Sequence, residues 1–309
     1  YVGQEKVKRQ LRIILDAAKK RKEVADHLLF YGQAGLGKTT LAHLVASELG
    51  THLRVTSGPA LEKMSDLAAV LTNLESNDIL FIDEVHRLNR TIEEVLYPAM
   101  ESRKLHLTVG KGPGARMLAL DLPPFMLIAA TTRASLLSGP LRSRFGASFK
   151  LDYYELPDIE AIIVRSANLL HMPIDADAVT HIARASRFTP RVANRLLKRV
   201  RDYVEVHEHP RVTAVVAKKT MELLEIDDLG LDPYDRRILQ IIIEKFHGGP
   251  VGLHTLAAAL NEDKGTIEEV YEPYLMSLGL LHRTPTGRMA SETAYQHLHI
   301  DPPQGAMLL

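Results

Sequence analysis

The stretch Gly32-Gln33-Ala34-Gly35-Leu36-Gly37-Lys38-Thr39 decides the fold. It satisfies GxxxxGK[ST], the pattern of a phosphate-binding loop, at every fixed position. Its flanks are the ones the chemistry needs. His27 to Tyr31 is a short apolar run of the kind a buried strand shows. After the loop, Leu41, Leu44, Val45 and Leu49 fall on one helical face, and Gly50 stops the helix. A strand, a glycine-rich turn and a helix therefore follow one another. The glycines let backbone N–H groups curl around phosphates, and the helix N-terminus adds its positive dipole end. Lys38 can reach the β- and γ-phosphates, and the Thr39 hydroxyl can ligate Mg²⁺. These residues describe a site for ATP or a related nucleoside triphosphate.

Outward from the loop, strands and helices alternate, which predicts a mostly parallel sheet with helices on both faces. His52 to Thr56 reads as a strand, and so does the apolar run from Asp78 that ends in Asp83 and Glu84. Ligands of an open α/β sheet sit beyond the carboxyl ends of its strands, so both carboxylates are expected beside the phosphates. Asp83 suits Mg²⁺, and Glu84 suits orienting and deprotonating water. Phe125 to Ala130 is another strand, and it delivers Thr131, Thr132 and Arg133 to the same edge. A short segment then carries Arg142 and Arg144, and a last strand lies near Phe149 to Tyr154. Between the helix Thr91 to Glu101 and the strand at Phe125, Leu105 to Val109 and Met117 to Leu122 form a hairpin around a turn at Gly110 to Gly114. The residues alone fit an ordinary sheet edge and a protruding element equally.

From Pro157 only helical patterns remain, at Ile159 to Leu170, Ala176 to Ala185, Val192 to Val204 and Thr213 to Leu224. Arg184, Arg187, Arg191, Arg195 and Lys198 recur at helical spacing, and most of such a stripe is expected to be a solvated face. Arg191 follows Thr189-Pro190 and is the member expected at the nucleotide. From Asp232 three helices lead into a small hairpin at Leu280 to Ala290, the winged-helix arrangement. That last unit has six Lys and Arg against ten Asp and Glu, a net of −4, so it lacks a general DNA-coating field. Any DNA contact there falls to Arg283 and Arg288, and a protein-binding winged helix remains open.

The chain has 309 residues, 46% hydrophobic and 25% charged, with zero formal net charge. That length predicts more than one domain. The absence of cysteine removes disulfides, thiolate metal sites and thiol catalysis and is compatible with the cytoplasm. No apolar run has the length of a membrane span, and a start at Tyr1 rather than methionine reads as a trimmed chain.

The loop, the Asp83-Glu84-Val85-His86-Arg87-Leu88 box, Ala130-Thr131-Thr132-Arg133, Arg142-Ser143-Arg144-Phe145-Gly146 and Thr189-Pro190-Arg191 resemble the motif series of AAA+ ATPases. Thr56-Ser57-Gly58-Pro59, Leu96-Tyr97-Pro98-Ala99-Met100-Glu101, Gly248 to Leu253 and Glu272-Pro273-Tyr274-Leu275 further resemble the RuvB family, the bacterial Holliday junction branch-migration motors. The resemblance runs from Tyr1 to about Leu298. It implies an ATP-driven DNA translocase of recombination and DNA repair, cytoplasmic and working as a hexameric ring. The implied domains are an AAA+ ATPase domain over 1–155, a helical lid over 156–230 and a winged helix over 231–309.

Carried residue by residue, the resemblance places Gly35, Leu36, Gly37, Lys38, Thr39 and Thr40 on the phosphates. It puts Tyr1, Val2, Tyr154 and Pro190 around the nucleotide, and makes Asp83 and Glu84 the Walker B pair. Thr132 is implied as sensor 1, Arg191 as sensor 2, and Arg144 as the arginine finger on a neighbouring subunit's ATP. The hairpin, through Leu105, Leu107, Val109, Leu118 and Leu120, is implied to dock on a RuvA-type junction-binding protein. Arg283 and Arg288 are implied to touch duplex DNA, and a RuvC-type resolvase is a further implied partner. Five departures stand out: Gln33 and Ala34 replace two usual prolines, Ala129 and Phe188 replace glycines, and Thr286 replaces an arginine. An origin-binding AAA+ switch and a clamp-loader-like ATPase are the competing readings, and the hairpin and the intact Glu84 and Arg144 speak against them.

Overall fold

The computed structural model describes residues 1–109 and 116–302, without the side chains of Thr108 and Val109. The expected turn at Gly110 to Gly114 lies outside the described residues. The chain divides into two compact units, Tyr1–Ala161 with Thr189–Arg191, and Ile162–Phe188 with the residues from Val192 onward.

The first unit begins with α1 (Glu5–Arg21), β1 (Leu28–Tyr31), α2 (Lys38–Leu49), β2 (Leu53–Ser57), α3 (Met64–Thr72), β3 (Ile79–Asp83) and α4 (Arg90–Ser102). The hairpin strands β4 (Lys104–Val109) and β5 (Arg116–Asp121) follow, then β6 (Met126–Thr131), the short α5 (Gly139–Arg142) and β7 (Ala147–Lys150). Five strands form one sheet in the order β2-β3-β6-β1-β7, every neighbour parallel. The three central strands, β3, β6 and β1, are continuous apolar runs because both faces are covered: Leu28, Phe30, Leu80, Phe81 and Ile128 are all fully buried. Register aligns the carboxyl ends. Tyr31 pairs with Thr131, and Ser57 with Asp83, so the loop after β1, the carboxylates after β3 and the threonines after β6 leave from one edge. β7 begins two residues before the expected strand. Leu151 to Tyr154 leave the sheet, and the Tyr154 ring turns toward the loop instead.

The hairpin is a separate two-stranded sheet, not an edge of the main one. Arg103 turns the chain in a left-handed conformation (φ 55°) between α4 and β4, and the Leu122 N–H closes the base on the Arg103 carbonyl at 2.7 Å. Cross-strand partners share a face, so Leu105 and Leu120, then Leu107 and Leu118, make one stripe.

α6 (Leu156–Leu169) runs from the first unit into the second, which also holds α7 (Ala176–Ala185) and α9 (Ala214–Leu223), while α8 (Pro190–Val206) starts in the first unit and continues in the second. The second unit continues with α10 (Pro233–Phe246), α11 (Leu253–Leu260), α12 (Lys264–Thr266), a π-helical turn Ile267–Tyr271 and α13 (Glu272–Ser277). The wing is β8 (Leu281–Thr284) and β9 (Gly287–Ala290), and α14 (Glu292–His297) closes the unit. The three helical segments pack around Ile238, Leu239, Ile242, Leu256, Leu275 and Leu280, and Phe188 packs on the same cluster. Of the basic stripe, Arg184, Arg195 and Lys198 are exposed, whereas Arg187 is not part of a solvated face. Its guanidinium reaches Asp232 (2.8 Å), Asp235 and, through Nε, the Gly230 carbonyl (3.0 Å). Burial and the neighbouring Asp232 carboxylate raise the Asp235 carboxyl to about 7 against the pull of Arg187.

Candidate nucleotide site

The site grows from the turn after β1. Gly35 and Gly37 both have left-handed backbones, φ 83° and 92°. A side chain at Gly37 would meet the Tyr1 hydroxyl at 2.7 Å, and one at Gly35 would meet the Arg191 Cβ at 2.9 Å. Only glycine allows these approaches. Lys38, at the start of α2, is 8% exposed, and its ammonium donates to the Gly32 and Gln33 carbonyls at 2.7 and 2.8 Å. Burial pulls its pKa down to about 8, with Arg191 adding to the effect and Asp83 opposing it. The loop therefore holds a buried ammonium within reach of the Arg191 guanidinium and the Asp83 carboxylate. Thr39 is half-buried and Thr40 exposed on the first turn of α2.

Asp83 ends β3, and its Oδ1 accepts the Glu84 N–H at 2.9 Å. Glu84 has φ 49°, a conformation that costs a non-glycine residue about 1–2 kcal/mol and that concentrates at functional sites. Its carboxylate reaches Arg87 at 3.2 Å. Thr132 is half-buried just past the end of β6. Thr131 is fully buried: its hydroxyl lies 2.9 Å from His86 Nδ1 and accepts the Arg133 N–H at 2.9 Å. This bond between the carboxylate box and the threonine strand was not foreseen in the sequence, where only the pair of adjacent threonines hinted at it.

The Tyr1 and Tyr154 hydroxyls are 2.9 Å apart and lie 3.2 and 3.1 Å from the Leu36 carbonyl oxygen. Val2 follows half-buried, and Lys8 donates to the Tyr1 carbonyl at 2.8 Å. The Arg191 N–H donates to the Gly35 carbonyl at 3.3 Å, which seats Pro190 and Arg191 on the loop. Arg144 is folded onto its own chain, with Nη2 3.0 Å from Glu101. Tyr1, Gly35, Lys38, Tyr154 and Arg191 thus meet at one loop.

The residues fit a nucleotide and its metal. A buried ammonium and the start of a helix suit phosphate oxygens, and a carboxylate and a hydroxyl, Asp83 and Thr39, are the hard oxygen donors Mg²⁺ takes.

Three family models cover almost the whole chain. Residues 1–151 match the Holliday junction DNA helicase RuvB P-loop domain, residues 154–227 the RuvB AAA lid domain, and residues 228–299 the RuvB C-terminal winged helix domain. The chain belongs to the RuvB family. Among solved structures, the Thermotoga maritima RuvB Holliday junction branch migration motor is 51% identical with a TM-score of 0.90, over 98% of this chain and 96% of that one. A mutant form of the same RuvB is also 51% identical, with a TM-score of 0.91 over 98% and 97% of the two chains.

Two expectations drawn from the RuvB resemblance need correction. Arg288 is not an exposed wing contact. Its side chain is 9% exposed and forms a bidentate pair with Glu272, Nε to Oε1 at 2.7 Å and Nη2 to Oε2 at 3.1 Å, with Glu272 itself 2% exposed. Its backbone is also bonded to Val251 in both directions. Arg283, directly opposite on β8, stays half-exposed and pairs with Glu268 at 2.9 Å. Leu105 is not a surface residue either: it is fully buried in the core cluster with Leu96 and Met100. Leu107 and Leu120 are partly buried against that cluster, while Leu118 is 47% exposed and Met117, absent from the expected surface, 74%. The side chain of Val109 lies outside the described residues. No helix among the described residues is long and apolar enough to cross a membrane.

Proposed function

We infer that this chain is an ATP-driven motor that migrates Holliday junction branches by moving duplex DNA in recombination and repair. The observation that carries the reading is family membership from residue 1 to 299 together with a loop in which Lys38 is buried, cationic and turned on its own carbonyls. No observation favours an origin-binding switch or a clamp-loader-like scaffold.

Lys38 exchanges the Gly32 and Gln33 carbonyls for the β- and γ-phosphate oxygens of ATP, and the first N–H groups of α2 share that load. Thr39 and Asp83 would hold Mg²⁺, which would neutralise phosphate charge during transfer. Glu84 turns from Arg87 to take the proton of the attacking water. Thr132 and Arg191 read the γ-phosphate from β6 and from α8. Arg144 completes the site of a neighbouring chain in a hexameric ring. The hairpin meets a RuvA-type protein through Leu107, Met117, Leu118 and Leu120, an apolar surface on a protruding element. Arg283 is the wing residue placed to meet a DNA phosphate.

Lys38→Ala and Glu84→Gln test the division of labour. Turnover collapses in both. Equilibrium ATP binding weakens in the first and persists in the second, and a Glu84→Gln protein that no longer binds ATP refutes the assignment.

A further inference from the structure

Arg144 is held by its own subunit on three sides. Its guanidinium carbon lies 4.3 Å from the centroid of the Tyr97 ring. Nη1 donates to the Pro140 carbonyl at 2.6 Å, and Nη2 meets Glu101 at 3.0 Å. Nε is buried and finds no hydrogen-bond partner among the described residues.

The Tyr97 side of this cradle is fixed. The Tyr97 hydroxyl donates to Glu93 Oε2 at 2.9 Å, and Ser138 Oγ donates to the same oxygen at 2.6 Å. Glu93 is 8% exposed, and Ser138 also caps α5, the helix that leads into Arg144. His27 joins the two halves. Its Nε2 lies 3.1 Å from the Met100 carbonyl, its Nδ1 accepts the Leu127 N–H at 2.9 Å, and its own carbonyl accepts the Gly146 N–H at 2.9 Å. Burial holds the imidazole below its usual pKa, so the ring stays neutral with its proton on Nε2.

The Glu101 side differs. Its carboxylate is 58% exposed on the last turns of α4. Beside it opens a cleft of about 420 Å³ lined by Asp26, His27, Glu101, Arg103, Ser143 and Arg144. The guanidinium has a rigid aromatic floor and a weakly held carboxylate at its open side.

We propose that Tyr97 and Glu101 are positioning residues for Arg144 with opposite effects. Tyr97 is the platform from which the guanidinium works. Glu101 keeps that guanidinium within its own subunit and must yield it to a neighbour's phosphate. This rests on the reading of Arg144 as a finger acting in trans. A half-exposed ion pair is worth little, which is what a reversible hold requires.

The experiment follows ATP turnover by the full chain with duplex DNA, across protein concentration. Glu101→Gln raises turnover at subsaturating protein about two- to fivefold, the range an exposed ion pair allows, and leaves the KM for ATP unchanged. Tyr97→Leu lowers kcat roughly fivefold or more at unchanged KM, while Tyr97→Phe, which keeps the ring face, retains most of it. In an Arg144→Ala background neither substitution alters the residual rate. If Arg144→Ala itself turns over normally, the finger reading fails and the proposal falls with it. If Arg144→Ala is inactive but Glu101→Gln slows or does not change turnover, or Tyr97→Leu raises KM along with its loss of kcat, the finger stands and the proposal is overturned.

Discussion

The bidentate pair between Arg288 and Glu272 sets a test that separates structure from DNA contact within one wing. Arg288→Ala leaves the Glu272 carboxylate, 2% exposed, without its partner. Stranding a buried charge in this way costs roughly 3–5 kcal/mol. At about 1.36 kcal/mol per factor of ten, amides of α13 and β9 should exchange with solvent roughly two to nearly four orders of magnitude faster. Native-state hydrogen exchange is the assay, because a chain of two compact units need not unfold in one transition. Replacing both partners with apolar residues, Arg288→Met with Glu272→Leu, should recover most of the protection, since what costs energy is the unpaired charge. Arg283→Ala is the contrast. Its pair with Glu268 is half-exposed, worth under about 1 kcal/mol, so protection should hold. The slope of log DNA affinity against log salt should instead become shallower by about 1. If Arg288→Ala exchanges within about threefold of the parent, the buried pair is not what braces the wing.

Lys38, held near 8 by burial, should gain a proton when phosphates arrive. The charged form binds the anion and the free site loses that charge as pH rises through about 8. ATP affinity should then be highest below pH 8 and fall by up to about tenfold per pH unit above it. Calorimetry in buffers of different ionisation enthalpy should record proton uptake at pH 8, and none in Lys38→Ala. Phe188 has φ 50° while its ring packs on the winged-helix core. Phe188→Ala loses the ring and keeps the backbone cost, whereas Phe188→Gly loses both. The glycine variant should therefore be the more stable of the two by roughly 1 kcal/mol, seen as a higher urea midpoint, and equal midpoints would refute the strain.

The nucleotide half was legible because its signals are local. A glycine pattern between a strand and a helix, and carboxylates after an apolar run, need no knowledge of distant residues. Three-dimensional partner choice was not legible. Arg288 reads as a free wing charge until α13 places Glu272, sixteen residues earlier, beneath it. The alternation of β4 puts Leu105, Leu107 and Val109 on one face without telling whether that face meets a partner or the chain's own core, and packing on α4 decides that Leu105 goes in. Arg187 shares its spacing with exposed neighbours and is set apart only by a left-handed turn, φ 54°, that aims it at Asp232 and Asp235. Nothing in the order of residues told that Arg144 would rest on Tyr97.

The rooting of the hairpin has a mechanical side. A single residue, Arg103, separates β4 from α4, the Leu122 N–H clamps the base, and Leu105 is sunk in the same core as Leu96 and Met100. Such a hairpin is joined to its support by a one-residue turn, a backbone bond and a buried leucine, so a load on Met117 or Leu118 would be borne where β4 leaves α4. That support is α4, whose neighbouring stripe carries Tyr97 and Glu101 against Arg144 and Glu93 against the Tyr97 hydroxyl. The described hairpin strands and the seat of the guanidinium therefore share one helix as their support, with no strand of the central sheet between them.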